Sequence, residues 1–226
     1  TLSKIKVNAP IDSVDASMLD HKKIFYTSLY HCFIHPNVYN DVDGQYRGMD
    51  KQIHTTKTNH YTVFSLWDTF RALHPLFTLI APEKNNEFIQ SLLEDYQQSG
   101  SLPIWELASN ETGTMIGYHS VPVISDMILK GIGNFDVNLA YEAMKKSAME
   151  DDRGLKYYKL HGFIPRELEN NAVSKQLEYA YDDWCIAQVA KKLNKQNDYE
   201  YFLGRALNYR NVFDASVGFM RGRNIY

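Results

Sequence analysis

Trp67, Asp68 and Arg71 bring an indole, a carboxylate and a guanidinium into about one helical turn. An indole offers a flat apolar surface, and a carboxylate accepts hydrogen bonds from hydroxyl groups, so the pair suits a sugar ring. The same spacing also suits a structural role, in which Asp68 caps a helix, Arg71 pairs with it three residues on, and Trp67 packs into the core. The segment therefore predicts either a carbohydrate-binding turn or a capped helix start.

A second segment with the same residue types follows between residues 105 and 119. Trp105 and Glu106 stand in a loop, and His119 lies where a loop meets a helix. These side chains have the chemistry to line a polar pocket beside the first group. The alternative is a capped, buried helix in which His119 is a hydrogen-bonded core residue.

Glu178 and Asp182 are two carboxylates spaced four residues apart in a strongly helical segment. That spacing places both on one face of a helix. Paired carboxylates can bind a metal ion or exchange protons with a substrate. The alternative is a solvated or hydrogen-bonded helix face.

The elements that must position these residues are mainly helices, because apolar residues recur at helical spacing. The pattern predicts helices over 15–35, 65–81, 85–98, 115–130, 138–149, 172–193 and 198–220. Asp15 or Ser17 is the expected cap of the first helix, and Pro75 is expected to kink or divide the second. Residues 37–62 predict a short β-ribbon or an ordered loop, with a turn at Asp43-Gly44.

Apolar and more amphipathic helices alternate along the chain, as they would in a toroid of helical hairpins. About seven helices are predicted, whereas a closed double ring of six hairpins has about twelve. The pattern therefore indicates either an open helical array or little more than half of a ring.

Composition excludes several classes of protein. The 226 residues include 24 basic and 27 acidic side chains, a net charge of -3, which argues against binding to nucleic acid or an anionic membrane surface. We expect no membrane span, since no apolar stretch approaches the roughly 18 residues that one needs. Cys32 and Cys185 form neither a disulfide framework nor a CxxC site. The 13% of aromatic residues suits carbohydrate clefts and helical cores alike.

Common catalytic patterns are missing from the sequence, including GxSxG, the P-loop, GxGxxG and HExxH. Asp41, Asp43 and Gly44 have a trace of a calcium loop, but the further ligand spacing is not met. We therefore expect a turn there.

Several motifs, in their order along the chain, resemble glycoside hydrolase family 92, the calcium-dependent exo-acting α-mannosidases. The motifs are FSLWDTFR at 64–71, GSLPIWE at 100–106, MIGYH at 115–119, LEYAYDDW at 177–184 and FMR at 219–221. Residues 26–31 and 41–46 also fit the family, so the resemblance extends from about residue 15 to the end of the chain.

The resemblance implies a mainly α fold that is part of an (α/α)6 toroid. It implies that residues 1–226 are the N-terminal portion of the catalytic domain, without the preceding β-sandwich domain and the C-terminal part of the toroid. The expected activity of the intact protein is removal of terminal mannose, α-1,2-linked, from mannan or glycans. The expected mechanism is calcium-assisted and inverting, with an acid and a base about 6.5 to 9.5 Å apart.

In the family, the acid, the base and the principal calcium ligands come from motifs after Phe-Met-Arg. We therefore expect no catalytic residue and no metal ligand in this chain, and we expect the chain alone to be inactive. The residues that the resemblance carries over are sugar-binding ones. Asp68 is the first candidate, with Trp67 beside it and Arg71 orienting Asp68 or touching the sugar. The second group is Trp105, Glu106 and His119, and the third is Tyr179, Asp182 and Asp183.

The expected partners are an α-mannoside glycan or mannan and the remainder of the same polypeptide. Family habit suggests a bacterial periplasmic, envelope-bound or secreted protein. Two other functions stay open: a non-catalytic carbohydrate-binding helical module, and a helical scaffold without sugar affinity. Half of a ring is also expected to expose apolar inner faces and to associate.

Overall fold

The structure, a computed structural model, describes residues 2–8 and 16–226. Helices dominate this part of the chain. They are α1 (Ala16–His31), α2 (Leu66–Thr69), α3 (Leu73–Ile80), α4 (Pro82–Ser99), α5 (Ser120–Lys130), α6 (Val137–Ala148), α7 (Leu155–His161), α8 (Ala172–Lys192) and α9 (Gln196–Ala206), with 3-10 turns at Leu2–Lys4 and Leu207–Val212. No helix in the described ranges has the length and apolar character needed to cross a bilayer.

The strands are short and form antiparallel pairs. The pairs are β1 (Asn37–Val38) with β4 (Tyr61–Thr62), β2 (Gln45–Arg47) with β3 (Ile53–Thr55), β5 (Phe64–Ser65) with β6 (Trp105–Glu106), and β7 (Phe213–Asp214) with β8 (Phe219–Met220). The ribbon predicted for 37–62 is confirmed by the first two pairs. The Asp43-Gly44 turn is also present, since Gly44 N–H donates to the Asp41 carbonyl, but it leads into β2, whereas residues 48–52 close the β2–β3 hairpin.

The core forms around α8, which packs on α9, α5 and α6. Tyr141, Tyr158 and Tyr179 are its largest fully buried side chains. Helix α4 is amphipathic and buries one face that includes Phe88, Ile89 and Leu92. Helix α8 is buried on most of its circumference, and its exposed stripe includes Tyr181 and Trp184.

The helix predicted over 65–81 is two helices, α2 and α3, separated at residues 70–72. Pro75 is not the cause of the break, because it lies in the first turn of α3, where no helical hydrogen bond needs its missing N–H. Pro82 likewise begins α4 rather than only closing α3. The predicted segment is divided, but the division is at Ala72, whose φ of -134° is not helical, and not at Pro75.

Three other boundaries differ from prediction. The helix predicted from residue 115 begins at Ser120, because Met115 and Gly117 have φ of 67° and 80°, which are incompatible with a right-handed helix. The last helix ends at Ala206 instead of 220, and the 3-10 turn and the β7–β8 pair follow it. No helix is predicted between residues 149 and 172, but α7 lies in this interval. The predicted cap residues Asp15 and Ser17 lie outside the described residues and side chains.

Candidate functional site

The β5–β6 pair joins the two segments that combine Trp with a carboxylate. Phe64 is opposite Glu106, and Ser65 is opposite Trp105. Because α2 begins directly after Ser65, this pairing fixes the start of the turn that carries Trp67 and Asp68. Backbone hydrogen bonds between two short strands thus bring the two motifs together.

Glu178 of α8 is the side chain on which Trp67 and Arg71 converge. Trp67 Nε1 donates to Glu178 Oε1 over 3.1 Å, and an Arg71 guanidinium nitrogen donates to the same oxygen over 2.6 Å. Trp67 lies in α2 and Arg71 in the turn that follows it, and both donate to this one acceptor. The Glu178 side chain is 15% exposed, while that of Arg71 is 58% exposed, so Arg71 screens the carboxylate from solvent.

His119 lies on the other side of Glu178. Its Nε2 is 3.3 Å from Glu178 Oε2, and its Nδ1 is 2.8 Å from Asp182 Oδ1. The other Asp182 oxygen accepts from the backbone N–H of Tyr118 over 2.8 Å. The imidazole stacks on Phe70, with ring centroids 4.0 Å apart. We call Trp67, Arg71, His119, Glu178 and Asp182 the Glu178 cluster.

The ionisable groups of the Glu178 cluster shift one another's pKa values. Burial disfavours the imidazolium of His119, but the Asp182 and Glu178 carboxylates outweigh burial and raise its pKa to about 9. Burial raises the pKa of Asp182, and the neighbouring His119 opposes that rise. Burial also acts on Glu178, but the contacts with His119, Trp67 and Arg71 prevail, so its pKa is lowered. His119 and Arg71 thus face the Glu178 and Asp182 carboxyl groups.

Asp68, in the predicted sugar-binding turn, is exposed. Ser65 Oγ donates to its Oδ2, so Ser65, and not Arg71, orients the carboxylate. The Asp68 side chain is exposed, whereas Trp67 and Arg71 both donate to Glu178. The turn therefore presents one carboxylate outward while two neighbouring side chains hold it to α8.

Glu106 is buried, with an exposed fraction of 1%. Its carboxylate accepts from Thr62 Oγ1 at 2.9 Å, from Val63 N–H at 3.0 Å and from Ser109 N–H at 2.6 Å. Burial raises its pKa, and these hydrogen bonds oppose the rise. The structure therefore gives Glu106 the task of holding two backbone segments together, beneath the half-buried Trp105.

The third group of predicted residues is buried in the core. Asp183 accepts from Arg205 Nε at 2.9 Å and from Tyr118 OH at 2.8 Å, and Tyr179 OH donates to the Arg153 carbonyl at 2.8 Å. Of this group, Asp182 belongs to the Glu178 cluster, through its contact with His119. Sequence reasoning left Glu178 off the list of sugar-site residues, although its spacing from Asp182 marked it as one of a carboxylate pair.

Two clefts border the Glu178 cluster. One, of about 640 Å³, is lined by Arg71, Glu178, Tyr181 and Trp184 among others. The other, of about 360 Å³, is lined by Trp67 and, among others, by residues 113–116 and 171–175. Since Trp67 and Glu178 are hydrogen bonded and line different clefts, the pair lies between them.

Within residues 2–8 and 16–226, no group of three or more His, Cys, Asp or Glu side chains is arranged to hold a metal ion.

Comparisons with known sequences cover nearly the whole chain. The family model for the glycosyl hydrolase family 92 catalytic domain matches residues 1–225. An uncharacterised secreted glycosidase from Arthroderma benhamiae is 30% identical over 151 residues, which are 59% of this chain and 19% of that protein. The chain thus spans about a fifth of the length of this curated relative.

Solved structures give the same result. The GH92 α-mannosidase BT3965 from Bacteroides thetaiotaomicron is 48% identical, with a TM-score of 0.93 over 99% of this chain and 30% of that one. The GH92 inverting mannosidase BT2199 from the same species is 34% identical, with a TM-score of 0.87 over 99% of this chain and 31% of that one. The predicted fold class, a mainly helical part of an (α/α)6 toroid, is confirmed by this likeness, because the catalytic domain of GH92 structures is an (α/α)6 barrel.

Proposed function

The chain belongs to glycoside hydrolase family 92, and on that premise we propose that the complete polypeptide is an exo-acting α-mannosidase. Its substrate is terminal mannose, α-1,2-linked, in mannan or another glycan. Residues 1–226 are the N-terminal portion of its catalytic domain, and the remainder of the polypeptide supplies a β-sandwich domain and the rest of the toroid. Two relatives of solved structure, an α-mannosidase and an inverting mannosidase, support this proposal.

The observation that carries the proposal is the outward carboxylate of Asp68 on a turn held by Trp67 and Arg71. A carboxylate accepts hydrogen bonds from two neighbouring hydroxyls, as the rim of a hexose offers them. The N–H of Trp67 is occupied by Glu178, which leaves the apolar ring at the smaller cleft for a sugar face. This chain therefore binds and orients the terminal mannose.

Proton transfer belongs to other parts of the polypeptide in this proposal. An inverting glycosidase needs an acid and a base about 6.5 to 9.5 Å apart, with room for a water between them. His119 is 1% exposed and ion paired, and Glu106 is enclosed by its own backbone donors, so neither is placed for that work. Calcium serves the intact enzyme as a Lewis acid, with ligands outside this chain.

We infer a secreted, periplasmic or envelope location. The fungal relative is named a secreted glycosidase, which supports this inference. Fractionation of the source cells, with activity followed in each fraction, tests it.

The test of the function is hydrolysis of an aryl α-mannoside by the complete polypeptide with calcium, with the product anomer read by NMR. We expect turnover with inversion, loss of turnover on chelation, and no turnover by residues 1–226 alone. Mannose affinity without turnover in the complete polypeptide would favour the non-catalytic carbohydrate-binding module. Absence of both affinity and turnover would favour a scaffold.

A further inference from the structure

The turn that carries Asp68 has little stability of its own. Helix α2 has four residues and is followed by a non-helical turn, whereas isolated helices shorter than about 12 residues are marginal in water. Ser65, the residue directly before this helix, has a non-helical backbone, and its side chain does not cap the helix. Tertiary contacts must therefore fix the direction in which Asp68 points.

Helix α8 supplies a rigid point for such a contact. It has 21 residues and is buried on most of its surface. The Glu178 carboxylate faces His119, whose Nε2 lies 3.3 Å from Oε2, and the imidazole is held by Asp182 and by stacking on Phe70. The carboxylate that receives Trp67 and Arg71 is thus preorganised before any ligand binds.

The contacts of Glu178 reach both sides of Asp68 in the sequence. Trp67 precedes Asp68 and Arg71 follows it by three residues, and both donate to the same oxygen, Oε1. Hydrogen bonds between charged groups are shorter and stronger than neutral ones, and the Arg71 bond of 2.6 Å is of this kind. Loss of this acceptor would release both flanks of the Asp68 position.

We infer that Glu178 is a positioning residue, which acts through Trp67 and Arg71 to aim the Asp68 carboxylate at hydroxyls of the terminal sugar. The inference rests on the proposed mannosidase function and adds a residue to it. Glu178 itself takes no part in proton transfer. Loss of hydrogen bonds that are equally strong in the ground state and the transition state raises KM more than it lowers kcat, and we expect the hydroxyl contacts of Asp68 to behave in this way.

The test uses Glu178→Gln in the complete polypeptide, with KM and kcat for an aryl α-mannoside measured separately. We expect KM to rise about tenfold or more, and kcat to change by less than about threefold. Trp67→Phe removes the indole N–H but keeps an aromatic ring, so it breaks the same contact from the other side. It should also raise KM, and it keeps the inference open to test if Glu178→Gln does not fold.

Glu87→Gln is the matched control. Glu87 is a partly buried carboxylate of α4 that accepts from Tyr61 OH at 2.6 Å and from Lys84 Nζ at 2.9 Å. It tests for a general loss of stability, and its KM should equal that of the parent. An unchanged KM in Glu178→Gln, or in Trp67→Phe if Glu178→Gln does not fold, overturns the inference while the parent remains active. A parent that neither hydrolyses nor binds an α-mannoside overturns the proposed function and this inference together.

Discussion

His119 and Asp182 lie 2.8 Å apart, from imidazole Nδ1 to carboxylate Oδ1, and both side chains are shielded from water. The pair joins the loop before α5 to the middle of α8, across 63 residues of sequence. Both residues belong to the Glu178 cluster and both are buried in the core. The protonation of His119 therefore affects both the stability of the protein and the candidate site.

The first prediction concerns pH. The pKa of His119 rises from 6.5 to about 9 on folding, so its stabilisation is complete below about pH 6.5 and is lost as pH rises through about 9. The parent should lose on the order of 2 kcal/mol more unfolding free energy than His119→Asn between these pH values. Chemical denaturation of the complete polypeptide at both pH values measures the difference. Equal pH dependence of the unfolding free energy in His119→Asn and in the parent would contradict the assignment.

The second prediction concerns the buried ion pair between Asp183 and Arg205, which are separated by 2.9 Å. Arg205→Met leaves the Asp183 carboxylate buried without its cation, so we expect a loss of about 3–5 kcal/mol in the free energy of unfolding. Arg221→Met is the control, because Arg221 pairs with Asp214 at an exposed position and should cost about 1 kcal/mol or less. Urea denaturation measures the free energy of unfolding of both variants. Similar losses for the two would contradict the claim that burial makes the Asp183–Arg205 pair more important than the exposed pair.

A third prediction separates backbone strain from steric overlap. Gly117 has a φ of 80°, and a Cβ there would overlap the imidazole of His119. Gly100 has a similar φ of 85°, but a Cβ there meets nothing within 4 Å. Gly100→Ala should therefore cost about 1 kcal/mol from strain alone, and Gly117→Ala about 2–4 kcal/mol. Thermal denaturation compares them, and the idea fails if the two shifts in Tm are equal.

Asp68 gives the fourth prediction. Because its side chain is exposed, Asp68→Ala should leave Tm within about 2 °C of the parent. It should raise KM for an aryl α-mannoside about tenfold or more in the complete polypeptide, since a hydrogen bond to a charged group contributes about 1.5–3 kcal/mol. Asp152→Ala, another exposed aspartate, serves as the control for charge. A variant that differs from the parent in stability but not in KM would contradict the assignment of Asp68 to the sugar.

The fifth prediction concerns the exposed stripe of α8. Tyr181 and Trp184 are 43% and 44% exposed and nearly parallel, with an angle of 16° between their rings, in the wall of the larger cleft. Residues 1–226 alone should therefore self-associate, and Tyr181→Ser with Trp184→Ser should reduce the association. Val42→Ser, at a solvated turn, should have no effect. Analytical ultracentrifugation measures the mass, and a monodisperse parent would contradict the prediction.

Local pattern was enough to predict much of the helical structure. Helices α4 and α8 have long runs of periodic apolar residues, and both lie within a few residues of their predicted bounds. The pattern failed where backbone conformation decides. Met115 and Ile116 continue an apolar run, but the positive φ of Met115 and Gly117 delays the start of α5.

The candidate site was predictable only in part. Residue types identified Trp67 and Asp68 as a polar and aromatic turn, and the structure shows Asp68 exposed there. The role of Glu178 depends on contacts 107 and 111 residues away in sequence, which no local spacing reveals. Glu106 has the same residue type as a sugar-binding carboxylate, and only the folded backbone shows that its acceptor capacity is already used.

The two-residue pairing of Phe64–Ser65 with Trp105–Glu106 has a consequence for how this protein can change. The register depends on main-chain hydrogen bonds and on a carboxylate hidden beneath them. Outward side chains next to this frame can consequently be exchanged without moving it. Single outward-facing side chains beside this pair of strands can therefore be substituted, which changes the surface of the candidate site but not the register of the two strands.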